Sequence, residues 1–154
     1  MAVKDKKTRK SHLIDDYHLL AYESVDSTND EARRLAEGGG AHGAFIWARE
    51  QTRGKGRQGR EWISHEGNLF VSILLSPDCT PARLPQLSFV TALAAAESIR
   101  PLLTDSEAVL CKWPNDILIK GRKAGGILLE SFETLEEDGS TKRWVVTGLG
   151  LNIE

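Results

Sequence analysis

The second half of the chain admits few folds. Four β-rich runs follow one another there: AVLCKW (108–113), DILIKG (116–121), GGILLESF (125–132) and RWVVTGLGLNI (143–153). Only turns separate them, EEDGS (136–140) among them. A parallel pair needs a crossover of roughly a dozen residues or more, whereas antiparallel neighbours can be joined by a hairpin. This half is therefore expected to be antiparallel sheet.

The first half adds strands and two helices. HLLAYES (18–24), AFIWARE (44–50) and NLFVSILLS (68–76) read as strands. STNDEARRLAEGGG between the first two reads as a helix. Thr28 and Glu31 stand at capping-box spacing, Asp30 and Glu31 suit its first turn, and Gly38 to Gly40 stop it. Pro81 and Pro85 introduce a second helix over 84–101, apolar on most faces and so expected to be well buried. The fold class is α+β: a mixed, largely antiparallel sheet packed on one side by helices. A doubly wound parallel sheet is excluded, because crossover helices between most strands are lacking.

With 154 residues and a net charge of -2, the chain suits one domain and is no general polyanion binder. Any affinity for phosphate must be local. The N-terminal MAVKDKKTRKSH is basic without an apolar run, which excludes a secretory signal. Residues 1–17 are expected to be a flexible basic tail ahead of a domain over 18–154. No run approaches membrane-spanning length, so no membrane partner is expected and the reading is cytoplasmic. Cys79 and Cys111 form no C-x-x-C pair and suit free thiols in a reducing compartment. His12, His18, His42 and His65 show no metal-ligand spacing.

Between two strand candidates, segment 51–67 is long, polar and glycine-rich, and its centre reads RGKGRQGR. Gly54, Gly56 and Gly59 allow close backbone approach and positive φ. Arg53, Lys55, Arg57 and Arg60 offer charge-assisted hydrogen bonds to phosphate or carboxylate oxygens. No Walker A pattern is present, and a strand follows where a dinucleotide fingerprint needs a helix. A solvated surface loop with weak nucleic-acid affinity is the plain alternative.

KWPNDILIKGRKAGG (112–126) is the second unusual stretch. Pro114 fixes a turn there, and Asn115 and Asp116 on that turn suit a hydroxyl, an amide or hydrated Mg2+, or simply close an Asx turn. Lys123, followed by Ala-Gly-Gly, has little bulk around it and could reach a phosphate. Ser27, Thr28 and Asn29 at a helix N-terminus suit a polar ligand, or plain capping. Glycines in GLGLN (148–152) mark close approach of a ligand or another backbone.

Taken in order, DSTND, REQTRGKGRQGREW, GNLFVSILL, KWPNDILIKGRKAGGILLE and GLGLNIE resemble the biotin protein ligases, over about residues 18–154. The resemblance implies the biotin–lipoate ligase fold, related to class II aminoacyl-tRNA synthetases. It implies ATP-dependent formation of biotinyl-5′-AMP with Mg2+, then transfer to a lysine of a biotin carboxyl carrier protein or domain. Ser27, Thr28, Gln51, Gly54, Arg57 and Lys123 match the family's biotin or adenylate contacts, and Arg57 and Lys123 are the candidates for catalysis. Trp62 matches an aromatic near the nucleotide, while Asn115 and Asp116 match the ATP side, Asp116 being the candidate Mg2+ ligand. Gly125, Gly126 and Gly150 would leave room for the ligand. Asn29, Lys55, Gly56, Arg60, Lys112 and Asn152 complete the expected binding set.

Three departures accompany the resemblance. Lys55 stands where the family more often has arginine, which loses the planar fork. No helix-turn-helix precedes residue 18, so no DNA partner is expected. The family continues past GLGLNIE with helices and a small β-barrel, so an incomplete catalytic domain is expected here. The family's frequent dimers leave a homodimer open. Lipoate or octanoate ligases and transferases, and a non-catalytic biotin- or RNA-binding module, are the alternatives.

Overall fold

The computed structural model describes residues 10–14, 17–103 and 109–153. Eight strands form one sheet around two helices. In chain order they are β1 (Lys10–Ile14), β2 (Tyr17–Val25), α1 (Thr28–Glu37), β3 (Ala44–Gln51), β4 (Leu69–Leu75) and α2 (Gln86–Ile99). Then come β5 (Leu110–Lys112), β6 (Asp116–Ile119), β7 (Arg122–Leu135) and β8 (Thr141–Leu151). The strand order is β1-β2-β3-β4-β8-β7-β6-β5. Only β2 and β3 are parallel, and α1 is the crossover that lets them be so. All other pairs are antiparallel, as the short connections require.

Five residues of the expected tail form a strand. Lys10–Ile14 pairs antiparallel with β2, with Ile14 opposite Tyr17 and Lys10 opposite Ala21. The remainder of that tail lies outside the described residues, as does the start of the strand expected at 108–113.

The helices do not share one side of the sheet. α1 buries Ala32 and Ala36 against Leu20, Ile46, Leu74, Trp144 and Val146. α2 buries Ala92, Ala95, Ala96 and Ile99 against Ile117, Ile127 and Leu151. Successive strand residues point to opposite faces, and in β8 Val146 and Leu151 differ in parity, so the two clusters lie on opposite faces. Their separation follows from two apolar sets on alternating strand positions, each needing its own cover.

α2 is also less buried than its composition suggests. Phe89, Val90 and Leu93 are 41%, 58% and 55% exposed. Its alanine face meets the sheet, while no described element covers the larger side chains. Composition measures how apolar a helix is, not how many of its faces find a partner.

Candidate functional site

On the α1 face, the N-terminus of α1, the end of β3, segment 55–62 and strands β6, β7 and β8 enclose a cavity of about 570 Å3. Small-molecule sites span roughly 300–1,000 Å3. The floor is made by missing side chains. Gly126 and Gly150 are cross-strand partners on β7 and β8. A Cβ on Gly150 would stand 2.6 Å from the Trp62 indole, and one on Gly126 would stand 3.2 Å from it. The indole packs on this glycine pair, and its Nε1–H is buried with no acceptor among the described residues.

One wall is neutral and tightly hydrogen-bonded. Gln51 Oε1 accepts from the Thr28 backbone N–H at 2.8 Å and lies 3.1 Å from Thr28 Oγ1. Gln51 Nε2 donates to Ser64 Oγ, which donates to the Trp62 carbonyl. Behind Thr28, Ser72 Oγ stands 2.7 Å from Thr28 Oγ1 and 2.6 Å from Asn29 Oδ1. Asn29 Nδ2 donates to Glu130 Oε2 at 2.7 Å. Gly148 leaves space for that amide, since a Cβ there would lie 2.2 Å from Asn29 Oδ1.

Thr28 therefore does not cap α1. The N-cap is Ser27, without a side-chain cap hydrogen bond, and the Thr28 hydroxyl is turned into the tertiary network instead. Asp26 secures the start of the helix. It accepts from the Ser27 N–H and from Arg34 Nη2 at 2.6 Å, and the Arg34 guanidinium holds its carboxyl down at about 2.

The opposite wall is cationic. Arg57 Nη1 donates to Asn115 Oδ1 at 2.8 Å, and Lys123 Nζ lies 2.7 Å from Asp116 Oδ1 and 5.5 Å from the Trp62 ring centroid. Asn115 is itself held by β7, donating from Nδ2 to the Ile127 carbonyl at 3.0 Å. Lys55 pairs with Asp30 at 2.5 Å, and Arg53 leans on Asp26 at 3.4 Å. Asp26 just ahead of α1 and Asp30 in its first turn thus anchor two of the segment's cations, while Arg57 reaches across to Asn115 at the cavity.

Segment 53–62 is a fastened hairpin. Trp62 N–H donates to the Gly54 carbonyl, Gly56 N–H donates to the Arg60 carbonyl, and Lys55 bridges Glu61. Of its three glycines only Gly59 has positive φ, at 72°, following Gln58 at 58°. Gly54 serves packing, because a Cβ there would meet the Trp62 carbonyl at 2.3 Å.

Most of the residues singled out from sequence meet in this cavity. Ser27, Thr28, Asn29, Gln51, Lys55, Gly56, Arg57, Arg60, Trp62, Asn115, Asp116, Lys123, Gly126, Gly150 and Asn152 all line it. Gly54, Lys112 and Gly125 do not. Lys112 is exposed on β5, opposite Asp116 in register. Gly125 faces the other side of the sheet, against Ile117 and Leu151. Ser64, Ser72 and Glu130 are not among those residues, whereas Gly148 falls in the GLGLN run whose glycines mark close approach. The one available signal for Ser72 is a lone hydroxyl inside the apolar run LFVSILL, fully buried on folding. Among the described residues no group of three His, Cys, Asp or Glu side chains could hold a metal ion, and no helix is long and apolar enough to cross a membrane.

Residues 21–152 match the sequence profile of the Biotin/lipoate A/B protein ligase family. A biotin–[acetyl-CoA-carboxylase] ligase of Paracoccus denitrificans is 41% identical over 129 residues, covering 84% of this chain and 52% of that protein. The biotin protein ligase of Leishmania major, solved with biotinyl-5-AMP, superposes with a TM-score of 0.71 at 30% identity, over 88% of this chain and 57% of that one. The Aquifex aeolicus enzyme, solved with biotin and ATP, gives 0.68 at 34% identity, over 88% and 52%. This chain thus spans about half the length of the relatives it matches.

Proposed function

The chain belongs to the Biotin/lipoate A/B protein ligase family, and we propose that it forms the biotin-activating site of an ATP-dependent biotin protein ligase. One observation carries this reading: a single cavity sets the neutral Thr28–Gln51 wall against the cationic Arg57 and Lys123 wall, with a flat Trp62 between them. Biotin has a neutral ring system and an anionic tail, and ATP brings a triphosphate, so a site for both needs that division.

In the proposed reaction the biotin carboxylate attacks the α-phosphorus of ATP. The new O–P bond gives biotinyl-5′-AMP, and pyrophosphate leaves with the electrons of the broken P–O bond. A neutral lysine amine of a carrier protein then attacks the acyl carbon, an amide forms, AMP departs and the amine proton passes to solvent. Two anions must meet in the first step, and Arg57 and Lys123 would offset their repulsion. Each rests on a short polar partner, Asn115 or Asp116, which holds the cation in place before the substrates arrive. The unpartnered Trp62 N–H would gain an acceptor from the bound adenylate, removing a burial cost of about 1–3 kcal/mol.

Asp116 is a single carboxylate already paired with Lys123. It fits an Mg2+ ion that enters with the triphosphate and keeps most of its own water, and does not make a resident metal site. Its partner proteins would be a biotin carboxyl carrier protein or domain, and the proposed setting is cytoplasmic.

The test is a single-turnover incubation with biotin and Mg·ATP, with lipoate in parallel, read by mass spectrometry. Biotinyl-5′-AMP with no lipoyl adenylate is the expected result. Adenylation of lipoate in preference to biotin would shift the reading to the other branch of the family. No adenylate together with no calorimetric biotin binding would refute it.

A further inference from the structure

From Asn29 to Gln51 the neutral wall runs through three oxygen–oxygen contacts with only two hydroxyl protons between them. The contacts are Ser72 Oγ to Asn29 Oδ1 at 2.6 Å, Ser72 Oγ to Thr28 Oγ1 at 2.7 Å, and Thr28 Oγ1 to Gln51 Oε1 at 3.1 Å. Each hydroxyl brings one proton and the amide oxygens bring none. One contact must therefore go without.

The outer end of the chain decides which. Asn29 Nδ2 faces Glu130 Oε2 at 2.7 Å and the Leu128 carbonyl at 3.5 Å, and both groups only accept. The amide cannot turn over without setting oxygen against carboxylate, so Oδ1 faces Ser72 and takes its proton. Ser72 Oγ then has only lone pairs to offer Thr28. At 2.7 Å two bare oxygens would repel, so the Thr28 proton points to Ser72. Gln51 cannot flip either, because its Oε1 accepts the Thr28 backbone N–H. The proton-free contact is Thr28 Oγ1 with Gln51 Oε1, and both residues line the cavity.

Thr28 and Gln51 are positions that match the family's biotin or adenylate contacts; we infer that Glu130, Asn29 and Ser72 act as positioning residues that fix the hydroxyl direction of Thr28, so that both side chains present acceptors to an N–H donor on the ligand. This rests on the function proposed above, under which the donor is a ureido N–H of biotin. It also assigns a source of selectivity. The dithiolane ring of lipoate carries no N–H, so its entry would leave Thr28 Oγ1 and the second lone pair of Gln51 Oε1 without the donor that biotin supplies.

The experiment is calorimetric titration of the full chain with biotin and with biotin methylated at either ureido nitrogen. The chain is expected to bind biotin about 100-fold or more tighter than one of the methylated forms, the usual scale for an unpaired buried polar group. In Ser72→Ala the Thr28 proton is free to turn to Gln51. Biotin affinity should then fall about 10-fold while that analogue's affinity holds, so discrimination collapses. Glu130→Ala, at a half-exposed site that tolerates truncation, releases the Asn29 amide and should reduce discrimination in the same sense, and Ser72→Thr should restore it. Equal losses on both ligands in both variants, or no change in either, would overturn the inference while leaving biotin binding intact. A wild-type chain that binds no biotin would instead sink the functional reading, and this inference with it. If Ser72→Ala does not fold, the ratio in Glu130→Ala decides.

Discussion

Along β8, neighbouring residues face different tasks. Leu149 and Leu151 keep full aliphatic side chains toward α2, where Leu151 joins Ile117, Ile127 and Ile99 in a dry core. Their neighbours on the α1 face begin with Trp144 and Val146 and end with Gly148 and Gly150. Side-chain volume falls to nothing over those four positions. The space so opened is taken by Asn29 over Gly148 and by Trp62 over Gly150. A binding cavity here is a deletion from a sheet face, lined afterwards by polar groups from elsewhere in the chain. On the α2 face the glycine at 125 is closed over by Ile117 and Leu151, and that face has stability as its main duty.

The sharpest way to break this comparison is to remove charge from the site face. Arg57→Ala should lower single-turnover formation of biotinyl-5′-AMP by about 100- to 1,000-fold, the usual scale for a lost charge-stabilising donor. Its melting temperature should stay close to wild type, because Arg57 is exposed and, among the described residues, its side chain donates to Asn115 alone. A loss of adenylation matched by a loss of stability would blur the two faces.

The reciprocal change comes next. Ile117 is fully buried on the α2 face, and Ile117→Ala should cost about 2–4 kcal/mol in urea unfolding through the cavity it leaves. Equilibrium unfolding should register it far more strongly than the turnover of the folded fraction. If adenylate yield per folded molecule drops as much as it does for Arg57→Ala, the division of labour is wrong.

Gly150→Ala sits at the boundary. The new methyl would press on the indole, whose atoms must shift from 2.6 Å. A roughly 10-fold weakening of biotin binding is expected with a stability change below about 1 kcal/mol, because Trp62 can move outward. Tryptophan fluorescence should report that movement, and an unchanged spectrum with unchanged affinity would show the floor is not needed.

The smallest effect concerns acid. Asp26 is held from 3.8 down to about 2 by Arg34, so its ion pair is fully present above about pH 4 and is lost as pH falls through about 2. The Arg34 side chain is 39% exposed and that of Asp26 21%, so solvent screens part of the pair and leaves on the order of 1 kcal/mol. Wild type should lose that much more stability than Asp26→Asn between pH 4.5 and 2, and parallel curves would remove the pair from the account.

Much of this molecule was decided locally and could be read from the chain. The hairpin-length connections after residue 108 allowed only antiparallel neighbours, and the β7 to β8 and β6 to β7 pairings follow. Gly38 ended α1 and Gly59 took the left-handed turn because the backbone conformations there are set by near neighbours. The order of glycine-, asparagine- and lysine-bearing motifs marked the family and most of the cavity lining.

What stayed hidden depends on which strand lies beside which. Alternation yields two faces for each strand, but only the register shows that Ser72, Gly148 and Leu128 share one of them. Thr28 satisfies a capping pattern in sequence, yet it bonds Gln51 and Ser72, residues far along the chain that a local rule cannot weigh. α2 has the composition of a buried helix, and its outer face is open because burial depends on a neighbour. Sequence by itself determined the elements, their turns and the chemistry available, since those follow from interactions within a few residues. Tertiary structure alone decided the proton order of the Glu130–Asn29–Ser72–Thr28 chain, because its direction is imposed from Glu130, two strands and a helix away.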